Sequence, residues 1–414
     1  FDEHGVCDFC NDFYQNIQPS WQDKLKDPDL LRRTAEQIKA ASKGRKYDCI
    51  IGMSGGVDSS YLCYVAKELM GLNPLVYSVD TGWNLNVAVE NIERIVKALD
   101  LDMYTEVVDW NEMKDLQLAF FKSQVPYQDM PQDHAIFAGL YNYAVKYGIQ
   151  YVLTGANSAT ECIRPPVEWV YMNDLKMIRD IHHKFGTRPL KTFPLCGMVK
   201  YRVYYPIFKG MKRVAPLDMV EYNKEKVKLF LQERFGWQPY ENKHYENVFT
   251  RFYEGYYLPH KFGYDKRKCY FSNEILAGTM TREEALAELE QPPYDPQQME
   301  EDKAYIAKKL GLTAEEFQTI IDGENKTFRD YRNSWGLIQF GTVVLRARAF
   351  DPTGLLQPSE VITSTYLMNL YHAFPIVSLV ADPDVLWNSD NGMLTIGDNV
   401  DKSNGIPFKN TVYR

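Results

Sequence analysis

The fold is decided by the stretch Ser54-Gly55-Gly56-Val57-Asp58-Ser59, which lies between the apolar run 47–53 and the helical run 61–66. A buried strand that turns through two glycines into a helix leaves several backbone N–H groups pointing at one spot. The helix dipole adds partial positive charge there, so the spot favours an anion such as phosphate. The sequence therefore predicts a phosphate-binding loop at residues 54–59.

This loop differs from a Walker loop, which ends in Gly-Lys-Ser/Thr, because residues 54–59 contain no lysine. That lysine grips the β- and γ-phosphates, so its absence argues against ordinary γ-phosphoryl transfer. The motif resembles the pyrophosphate loop of the ATP pyrophosphatases, enzymes that break ATP between its α- and β-phosphates. The alternative interpretation is a Ser/Gly-rich turn that binds nothing.

Length and composition exclude several other classes of protein. A chain of 414 residues predicts two or three domains, and contents of 45% hydrophobic and 25% charged residues are typical of globular proteins. The net charge of −8 argues against a general nucleic-acid coat. The seven scattered cysteines resemble reduced cytosolic thiols, and no apolar run reaches membrane-spanning length. We expect a cytoplasmic protein with no nucleic-acid or membrane partner.

Strands and helices alternate after residue 47, which predicts an α/β fold with a doubly wound parallel sheet. The predicted segments are strands at 75–79, 103–108 and 151–154, and helices at 27–42, 86–99 and 135–147. Ligands of such sheets bind at the carboxyl ends of the strands. Three loops meet that condition, at 54–59, 80–84 and 154–161.

The chain is predicted to have four parts. Residues 21–189 form the ATP-binding domain, and the alternation ends near residue 185. Residues 190–345 form a mostly helical substrate region, with a helix at 223–235 and capping boxes at Thr281/Glu284 and Thr313/Glu316. Residues 1–20 are the remnant of a zinc-ribbon-like segment, and residues 346–414 form an atypical tail.

Polar residues follow the predicted strands. Asp80 closes the second strand and can accept hydrogen bonds from a nucleotide, although a strand-end Asp is also a common turn residue. Asp133 and His134 can form an acid–base or substrate-binding pair, or can act as a helix cap and a structural histidine. Glu161 can bind Mg²⁺ or a sugar hydroxyl, or simply belong to a helix start. The sequence leaves these alternatives open.

Cys7-x-x-Cys10 has the spacing of half a zinc site. Cys196, Cys269 or His244 can supply further ligands, but their spacing does not select one of them. The sequence thus predicts a half site only.

Five motifs carry a more specific resemblance. They are the segment 1–10 with Cys7-x-x-Cys10, the loop 54–59, Asp133-His134-Ala135-Ile136, Thr154-Gly155-Ala156-Asn157-x-x-Thr160-Glu161, and Lys243-His244-Tyr245-Glu246-x-x-Phe249-Thr250-Arg251-Phe252. Together they resemble the N-acetyl sugar amidotransferases of the pyrophosphate-loop ATP pyrophosphatase superfamily, which serve surface-polysaccharide biosynthesis. The resemblance covers roughly residues 1–345. Many members of the superfamily share the loop motif, whereas the block 243–268 is specific to far fewer of them.

The resemblance implies an adenine nucleotide alpha hydrolase-like fold and an AMP-forming reaction. ATP adenylates the oxygen of an acetamido group on a nucleotide-linked sugar, and ammonia from a separate glutaminase displaces AMP. The implied catalytic residues are Asp58, Asp133 and His134. The implied ATP-binding residues are Ser54, Gly55, Gly56, Asp58, Ser59, Asp80 and Gly155, with Asp58 also holding Mg²⁺. The implied substrate-binding residues are Asn157, Glu161, Lys243, His244, Arg251 and Lys266.

The chain departs from the family at both ends. Family members usually carry another Cys-x-x-Cys about twenty residues before Cys7, so we expect the chain to be truncated and Zn²⁺ to bind the intact protein. Residues 355–414 do not resemble the family. The stretch 374–387 is similar to the start of exported CotH-type domains, which indicates either a chimeric reading frame or a natural fusion.

Two other functions stay open at this point. A tRNA-modifying or thiolating pyrophosphate-loop enzyme also activates a carbonyl oxygen with ATP, although such enzymes commonly have strongly basic surfaces. A non-catalytic nucleotide-binding module is the second alternative. Pyrophosphate release separates an enzyme from a module, and dependence on sugar or tRNA separates the two enzymes.

Overall fold

The computed structural model describes residues 2–171, 174–240, 247–338, 342–347 and 362–367. The chain divides into two compact units, residues 1–333 and 334–414. The first unit contains every site residue that the structure describes. In the second unit, β6 (Thr342–Ala347) and β7 (Ile362–Leu367) pair antiparallel. The predictions for the tail, including its resemblance at 374–387, lie outside the described residues.

A five-stranded parallel sheet organises the first unit. Its strands are β1 (Cys49–Gly52), β2 (Pro74–Asp80), β3 (Asp102–Val107), β4 (Tyr151–Leu153) and β5 (Lys212–Val214). Their order is β3-β2-β1-β4-β5, and every neighbouring pair is parallel. The chain builds outward from β1 in one direction and then returns to add β4 on its other side. The carboxyl ends of β1 and β4 therefore form a switch point, where open α/β sheets bind ligands.

Seventeen α-helices lie within the described residues. They are α1 (Asp8–Asp12), α2 (Gln18–Lys26), α3 (Leu30–Ala41), α4 (Val57–Tyr64), α5 (Asn86–Ala98), α6 (Trp110–Ser123), α7 (Met130–Lys146), α8 (Ser158–Glu161), α9 (Leu175–Phe185), α10 (Lys224–Phe235), α11 (Val248–Phe252), α12 (Leu258–Phe262), α13 (Arg267–Ala277), α14 (Arg282–Glu290), α15 (Pro296–Leu310), α16 (Ala314–Ile321) and α17 (Trp335–Ile338). Shorter π-helical segments occur at Phe13–Ile17, Val65–Leu69, Lys200–Phe208 and Tyr253–Tyr257, and 3₁₀ turns at Pro216–Met219 and Phe328–Asp330. None of the described helices is long and apolar enough to cross a membrane.

The core follows from the alternation of β1. Cys49 and Ile51 are fully buried and share one hydrophobic cluster with Ile92 of α5 and Leu231 of α10. On the other face, Leu140 of α7 comes within 3.6 Å of where a Cβ on Gly52 would lie. Both faces of the strand are thus covered, as expected for a parallel sheet.

The structure confirms the predicted fold class and most of the predicted elements. Both capping boxes form as predicted, at Thr281/Glu284 and Thr313/Glu316. The prediction that the strand–helix alternation ends near residue 185 was wrong by one strand. Residues 212–214 pair with β4 and extend the sheet by β5, a strand too short for sequence periodicity to reveal.

Candidate functional site

The loop 54–59 turns from β1 into α4 at the switch point, as predicted. Gly55 adopts φ +84°, and a Cβ on it would lie only 2.5 Å from the carbonyl oxygen of Ala88 in α5. Both the left-handed backbone and the close approach require glycine at this position. The turn therefore depends on the packing of α5 as well as on the loop itself.

The N-terminus of α4 is open to an anion. Its N-cap residue is Gly56, which has no side chain to cap the first turn, and the Gly56 N–H donates to Ser54 Oγ at 3.3 Å. The hydroxyls of Ser54 and Ser59 lie 3.4 Å apart beside it, and Ser54 is exposed. The first-turn N–H groups of an α-helix lack intrahelical acceptors and carry partial positive charge. The loop thus places first-turn backbone donors beside the exposed Ser54 hydroxyl and the half-buried Ser59 hydroxyl, which donates to the Gly56 carbonyl at 3.2 Å.

The loop 154–161 lies directly against the first turn of α4. A Cβ on Gly155 would lie 3.2 Å from the Cβ of Asp58 and 3.3 Å from the backbone nitrogen of Ser59. Asn157 caps α8 by accepting from the Thr160 N–H at 2.9 Å, while its Nδ2 donates to the Gly155 carbonyl at 3.2 Å. The structure therefore brings the predicted residues Asp58, Ser59, Gly155 and Asn157 together.

Asp58 receives a hydrogen bond that the sequence did not predict. The hydroxyl of Tyr222 donates to its Oδ1, and Asn157 Nδ2 approaches the same oxygen at 3.5 Å. Burial and the neighbouring Asp58 raise the pKa of Tyr222 well above its usual range, with a smaller contribution from Glu161. Tyr222 therefore stays a neutral donor that fixes the carboxylate of Asp58, and Glu161 lies close enough to belong to the same site.

Residues after α10 hold the carbonyl of Gly55. The Trp237 Nε1–H donates to the Gly55 oxygen at 3.0 Å, and the Tyr240 hydroxyl donates to the same atom. Asn91 of α5 fixes this segment through two hydrogen bonds with the backbone of Gln238, at 2.7 and 2.8 Å. Gly236 at the end of α10 is the one feature of this segment that the sequence marks, and nothing in the sequence indicates that the following residues return to the loop.

Asp80 ends β2 and is half-buried. Its Oδ1 accepts a hydrogen bond from the Gly82 N–H at 2.7 Å, so it stabilises a turn. Binding of a nucleotide by Asp80 stays a prediction.

Arg213 is a further cation at this edge of the sheet that the sequence reasoning missed. It lies on β5, is exposed, and donates to the Thr154 hydroxyl at 3.3 Å. No motif marks it, since β5 itself was not predicted.

Asp133 lies inside the first turn of α7, because the helix begins at Met130 with Asp129 as its N-cap residue. The prediction of Asp133 as the cap was therefore wrong by one helical turn. Pro131 at the second position of the helix favours the earlier start. The hydroxyl of Tyr127 donates to Asp133 Oδ2.

His134 is fully buried, and its Nε2 accepts a hydrogen bond from the Cys196 N–H at 3.1 Å. The proton of the neutral ring therefore resides on Nδ1, which has no partner among the described residues. Burial lowers the pKa of His134 to about 4, opposed by the charge of Asp174. This arrangement is that of a neutral core histidine.

Two of the predicted substrate-binding cations are paired inside the protein. Arg251 makes a two-pronged ion pair with Asp302, at 2.7 and 2.8 Å. Lys266 pairs with Glu254, and both side chains are largely buried. Lys243 and His244 lie outside the described residues.

Cys7 and Cys10 lie side by side at the N-terminus of α1, where Cys7 Sγ accepts from the Cys10 N–H at 3.4 Å. This hydrogen bond, followed by one from the Cys10 thiol, lowers the pKa of Cys7. Within the described ranges, no group of three or more His, Cys, Asp or Glu side chains is placed to hold a metal. Zinc binding by the intact protein therefore stays a prediction.

The sheet order, the glycine turn at the switch point and the helix N-terminus above it define an α/β protein with an open parallel sheet and an anion-binding turn at its switch point. Residues 246–342 match the family of the LPS biosynthesis protein WbpG-like, C-terminal domain. This part of the chain is therefore similar to a family of lipopolysaccharide-biosynthesis proteins, in line with the resemblance to enzymes of surface-polysaccharide biosynthesis.

Other similarities are more distant. An uncharacterized protein of Methanocaldococcus jannaschii is 26% identical over 129 residues, which are 31% of this chain and 45% of that protein. The chain therefore spans less than half the length of this curated relative.

Similar solved structures include three proteins with low TM-scores. They are an NH3-dependent NAD synthetase from Campylobacter jejuni (15% identity, 71% of this chain and 97% of that chain, TM-score 0.30), an NMN synthetase from Francisella tularensis (18%, 52% and 89%, TM-score 0.27) and the U34-tRNA thiolase NcsA from Methanococcus maripaludis (12%, 72% and 81%, TM-score 0.29).

Proposed function

We propose that the chain is an ATP-dependent, AMP-forming amidotransferase that acts on an acetamido group of a nucleotide-linked sugar. It adenylates the acetamido oxygen, and ammonia-derived nitrogen then replaces that oxygen, for surface-polysaccharide biosynthesis. The observation that carries this proposal is the open N-terminus of α4 at the switch point, in a chain whose residues 246–342 match a polysaccharide-biosynthesis family.

The residues at the loop fit the phosphates of ATP. Ser54 and Ser59 supply hydroxyl donors, and the first turn of α4 supplies backbone N–H groups. Gly55 lets the loop pack against α5, and Gly155 lets the loop 154–161 pack against α4, because a Cβ on either would meet backbone atoms at 3.2 Å or less. Without a Walker lysine, this arrangement suits release of pyrophosphate better than transfer of the γ-phosphoryl group.

Asp58 is the residue that would hold Mg²⁺, with Glu161 close to it. Mg²⁺ is commonly bound by one or two carboxylates together with substrate phosphates and water, so a cage of several protein carboxylates is not required. When bound, the ion would neutralise phosphate charge. Tyr222 and Asn157 both donate to Oδ1 of Asp58 and so fix the position of its carboxylate.

The acetamido oxygen needs activation because it is a poor leaving group, and adenylation makes it a good one. Asn157 and Glu161 would contact the sugar, since they lie beside Asp58. Arg213, Lys243 and His244 would neutralise the phosphates of the nucleotide-linked sugar. Arg251 and Lys266 are not assigned this role, because they are already paired with carboxylates. We assign no proton transfer to His134, because it is buried with Nε2 engaged. A separate glutaminase would supply the ammonia.

The test is a reaction containing the full chain, ATP, Mg²⁺, ammonium and a UDP-linked diacetamido sugar. We expect sugar-dependent release of pyrophosphate and AMP, and conversion of acetamide to acetamidine by mass spectrometry. Replacement of the sugar by bulk tRNA is the control. Pyrophosphate release that requires tRNA and ignores the sugar would contradict the proposal in favour of a tRNA-modifying enzyme.

A further inference from the structure

An exposed apolar surface lies on the π-helical segment Lys200–Phe208 of the first unit. Five large apolar side chains, from this segment and from the residue before it, are exposed to solvent. We call them the apolar face: Val199 (72% exposed), Val203 (40%), Tyr204 (39%), Ile207 (69%) and Phe208 (71%). Single exposed apolar residues are ordinary on a protein surface, whereas a contiguous group of them marks a site of interaction.

The spacing of the apolar face shows that it is contiguous. Because the hydrogen bonds of a π-helix join residues i and i+5, one turn takes roughly four to five residues. Val203 and Tyr204 therefore lie one turn after Val199, and Ile207 and Phe208 lie two turns after it. The rings of Tyr204 and Phe208 accordingly stack, with their centroids 6.1 Å apart.

The other side of the same helix holds it against α7. Tyr205 is buried, its ring stacks on that of Tyr141 at 5.6 Å, and its hydroxyl donates to Asn142 Oδ1 at 2.7 Å. The ring of Tyr201 packs edge-on against that of Phe137, with centroids 4.6 Å apart. A surface helix usually has a polar outer side, so this second apolar side is one that the core does not use.

Positive charge surrounds the apolar face. Residues 181–217 contain eight lysine and arginine residues and no Asp or Glu, although the whole chain has a net charge of −8. The helix α7, on which the segment packs, has no acidic residue after Asp133. Lys200 and Arg202 lie on the π-helical segment, Lys209 follows it directly, and all three are exposed.

Two of these cations contact neutral groups. Lys200 donates to Asn142 Oδ1 at 2.6 Å, and the Lys209 Nζ lies over the ring of Tyr204, 5.4 Å from its centroid. Neither an amide nor a phenol ring cancels the charge of an ammonium group. The surroundings of the apolar face therefore attract an anionic partner.

We propose that the apolar face and the cations around it dock the protein on an anionic membrane surface. A helix that lies in the membrane interface buries its apolar side at the boundary of headgroups and acyl chains, while its lysine and arginine residues attract anionic lipids. Tyr204 suits this position, because aromatic rings with a polar group concentrate at the membrane–water interface. The long side chains of Lys200, Arg202 and Lys209 can keep their charges at the level of the headgroups.

A bilayer fits these observations better than an acidic protein does. It offers anionic charge and an apolar interior in one surface, and it needs no matching shape to cover a protruding helix. The expectation of no membrane partner depended on the lack of a membrane-spanning apolar run, which a helix that lies on the surface does not need. The proposal is independent of the reaction and adds a location to it.

Flotation of the full chain with lipid vesicles, without ATP or sugar, tests the proposal. Vesicles of phosphatidylcholine alone are compared with vesicles that also contain phosphatidylglycerol as the anionic lipid. We expect binding to the anionic vesicles to be roughly tenfold tighter or more. Added sodium chloride should weaken this binding, because salt screens the attraction between exposed charges.

Apolar variants locate the binding. Ile207→Ser and Phe208→Ser each remove an exposed side chain, so both are expected to fold, and each should weaken binding to the anionic vesicles roughly tenfold. Phe208→Trp keeps a ring suited to the interface and should retain binding. Leu286→Ser is the matched control, because Leu286 is 51% exposed on α14, whose charged residues are mostly glutamates, and it should bind as the wild type does.

Charge variants test the second half of the proposal. Arg202→Gln combined with Lys209→Gln should weaken binding roughly tenfold or more and reduce its dependence on salt. Lys43→Gln combined with Lys97→Gln is the matched control, because it removes two exposed cations outside the acid-free segment. This control should bind the vesicles as the wild type does.

Equal binding to both kinds of vesicle, or binding to neither, would overturn the proposal. Unchanged binding in Ile207→Ser and Phe208→Ser would overturn the assignment to the apolar face. A wild type that ignores the vesicles but forms dimers, which Phe208→Ser dissociates, would show that the face joins two protein chains instead. Since no ATP or sugar is present, failure of the docking and failure of the proposed reaction are measured separately.

Discussion

The phosphate loop and the buried ionisable group of Asp129, Asp133, Glu254 and Lys266 are built in opposite ways. The loop at residues 54–59 is contiguous in sequence and offers backbone N–H groups, and its shape depends on Gly55. This ionisable group is assembled from side chains at the start of α7 and from the segment 253–266, which are more than a hundred residues apart. A backbone site leaves a short motif in the sequence, whereas a side-chain site appears only after folding has brought the segments together.

The largest expected effect is on the rate of pyrophosphate release when the carboxylate of Asp58 in the loop is removed. Asp58→Ala should reduce pyrophosphate release on the order of a hundredfold or more, because Mg²⁺ would lose its carboxylate ligand and the phosphates would lose the ion that neutralises them. Asp58→Asn, which can still accept from Tyr222, should show a similar loss with a smaller change in stability. Turnover at the wild-type rate in either variant, with folding confirmed by circular dichroism, would show that the loop was assigned the wrong role.

The second prediction distinguishes a structural from a catalytic His134. Its pKa is lowered from 6.5 to about 4, so the unfolded chain takes up a proton more readily than the folded one. The neutral His134 ring therefore contributes roughly 3 kcal/mol to the free energy of unfolding. This contribution is complete above pH 6.5 and is lost as the pH falls through about 4.

Denaturant unfolding of the wild type and His134→Gln across this range checks the second prediction. The free energy of unfolding should depend less on pH in the variant. A pH dependence identical in the two proteins would contradict the buried neutral state.

The third prediction compares two glycines with positive φ. Gly55→Ala and Gly236→Ala share the left-handed strain, at φ +84° and +66°. A Cβ at position 55 meets the Ala88 carbonyl, whereas position 236 has nothing within 4 Å. Gly55→Ala should therefore cost about 2 kcal/mol more in the free energy of unfolding, since a backbone contact cannot relax easily. Equal losses in the free energy of unfolding would mean that α5 moves to make room for the new methyl group and that the loop sequence alone determines the turn.

The smallest effect concerns the segment after α10. Trp237→Phe removes the hydrogen bond to the Gly55 carbonyl and should cost about 1 kcal/mol. We also expect that the KM of this variant for ATP rises several-fold, while its KM for the sugar changes little. An unchanged KM would show that the loop keeps its shape without this support.

The sequence predicted the sheet and the loop because their signals are local. The apolar run before Gly55 and the helix capped after it needed no information from elsewhere in the chain. The sequence missed Tyr222, Trp237 and Arg213, because each reaches the site through folding and none lies in a recognisable motif.

The predicted cations show the same limit. A run of basic residues cannot reveal that Arg251 faces Asp302 or that Lys266 faces Glu254. Sequence spacing also cannot distinguish an exposed catalytic histidine from a core histidine. The structure shows that His134 is a core histidine, since it is fully buried.

Isotope transfer tests the central claim most directly. The acetamido oxygen of the UDP-linked sugar is labelled with ¹⁸O, and the products of the reaction with ATP, Mg²⁺ and ammonium are analysed by mass spectrometry. Adenylation of that oxygen followed by displacement with ammonia predicts that the label appears in the phosphate of AMP and leaves the sugar. Label that remains on the sugar, or AMP that forms without it, would contradict the account.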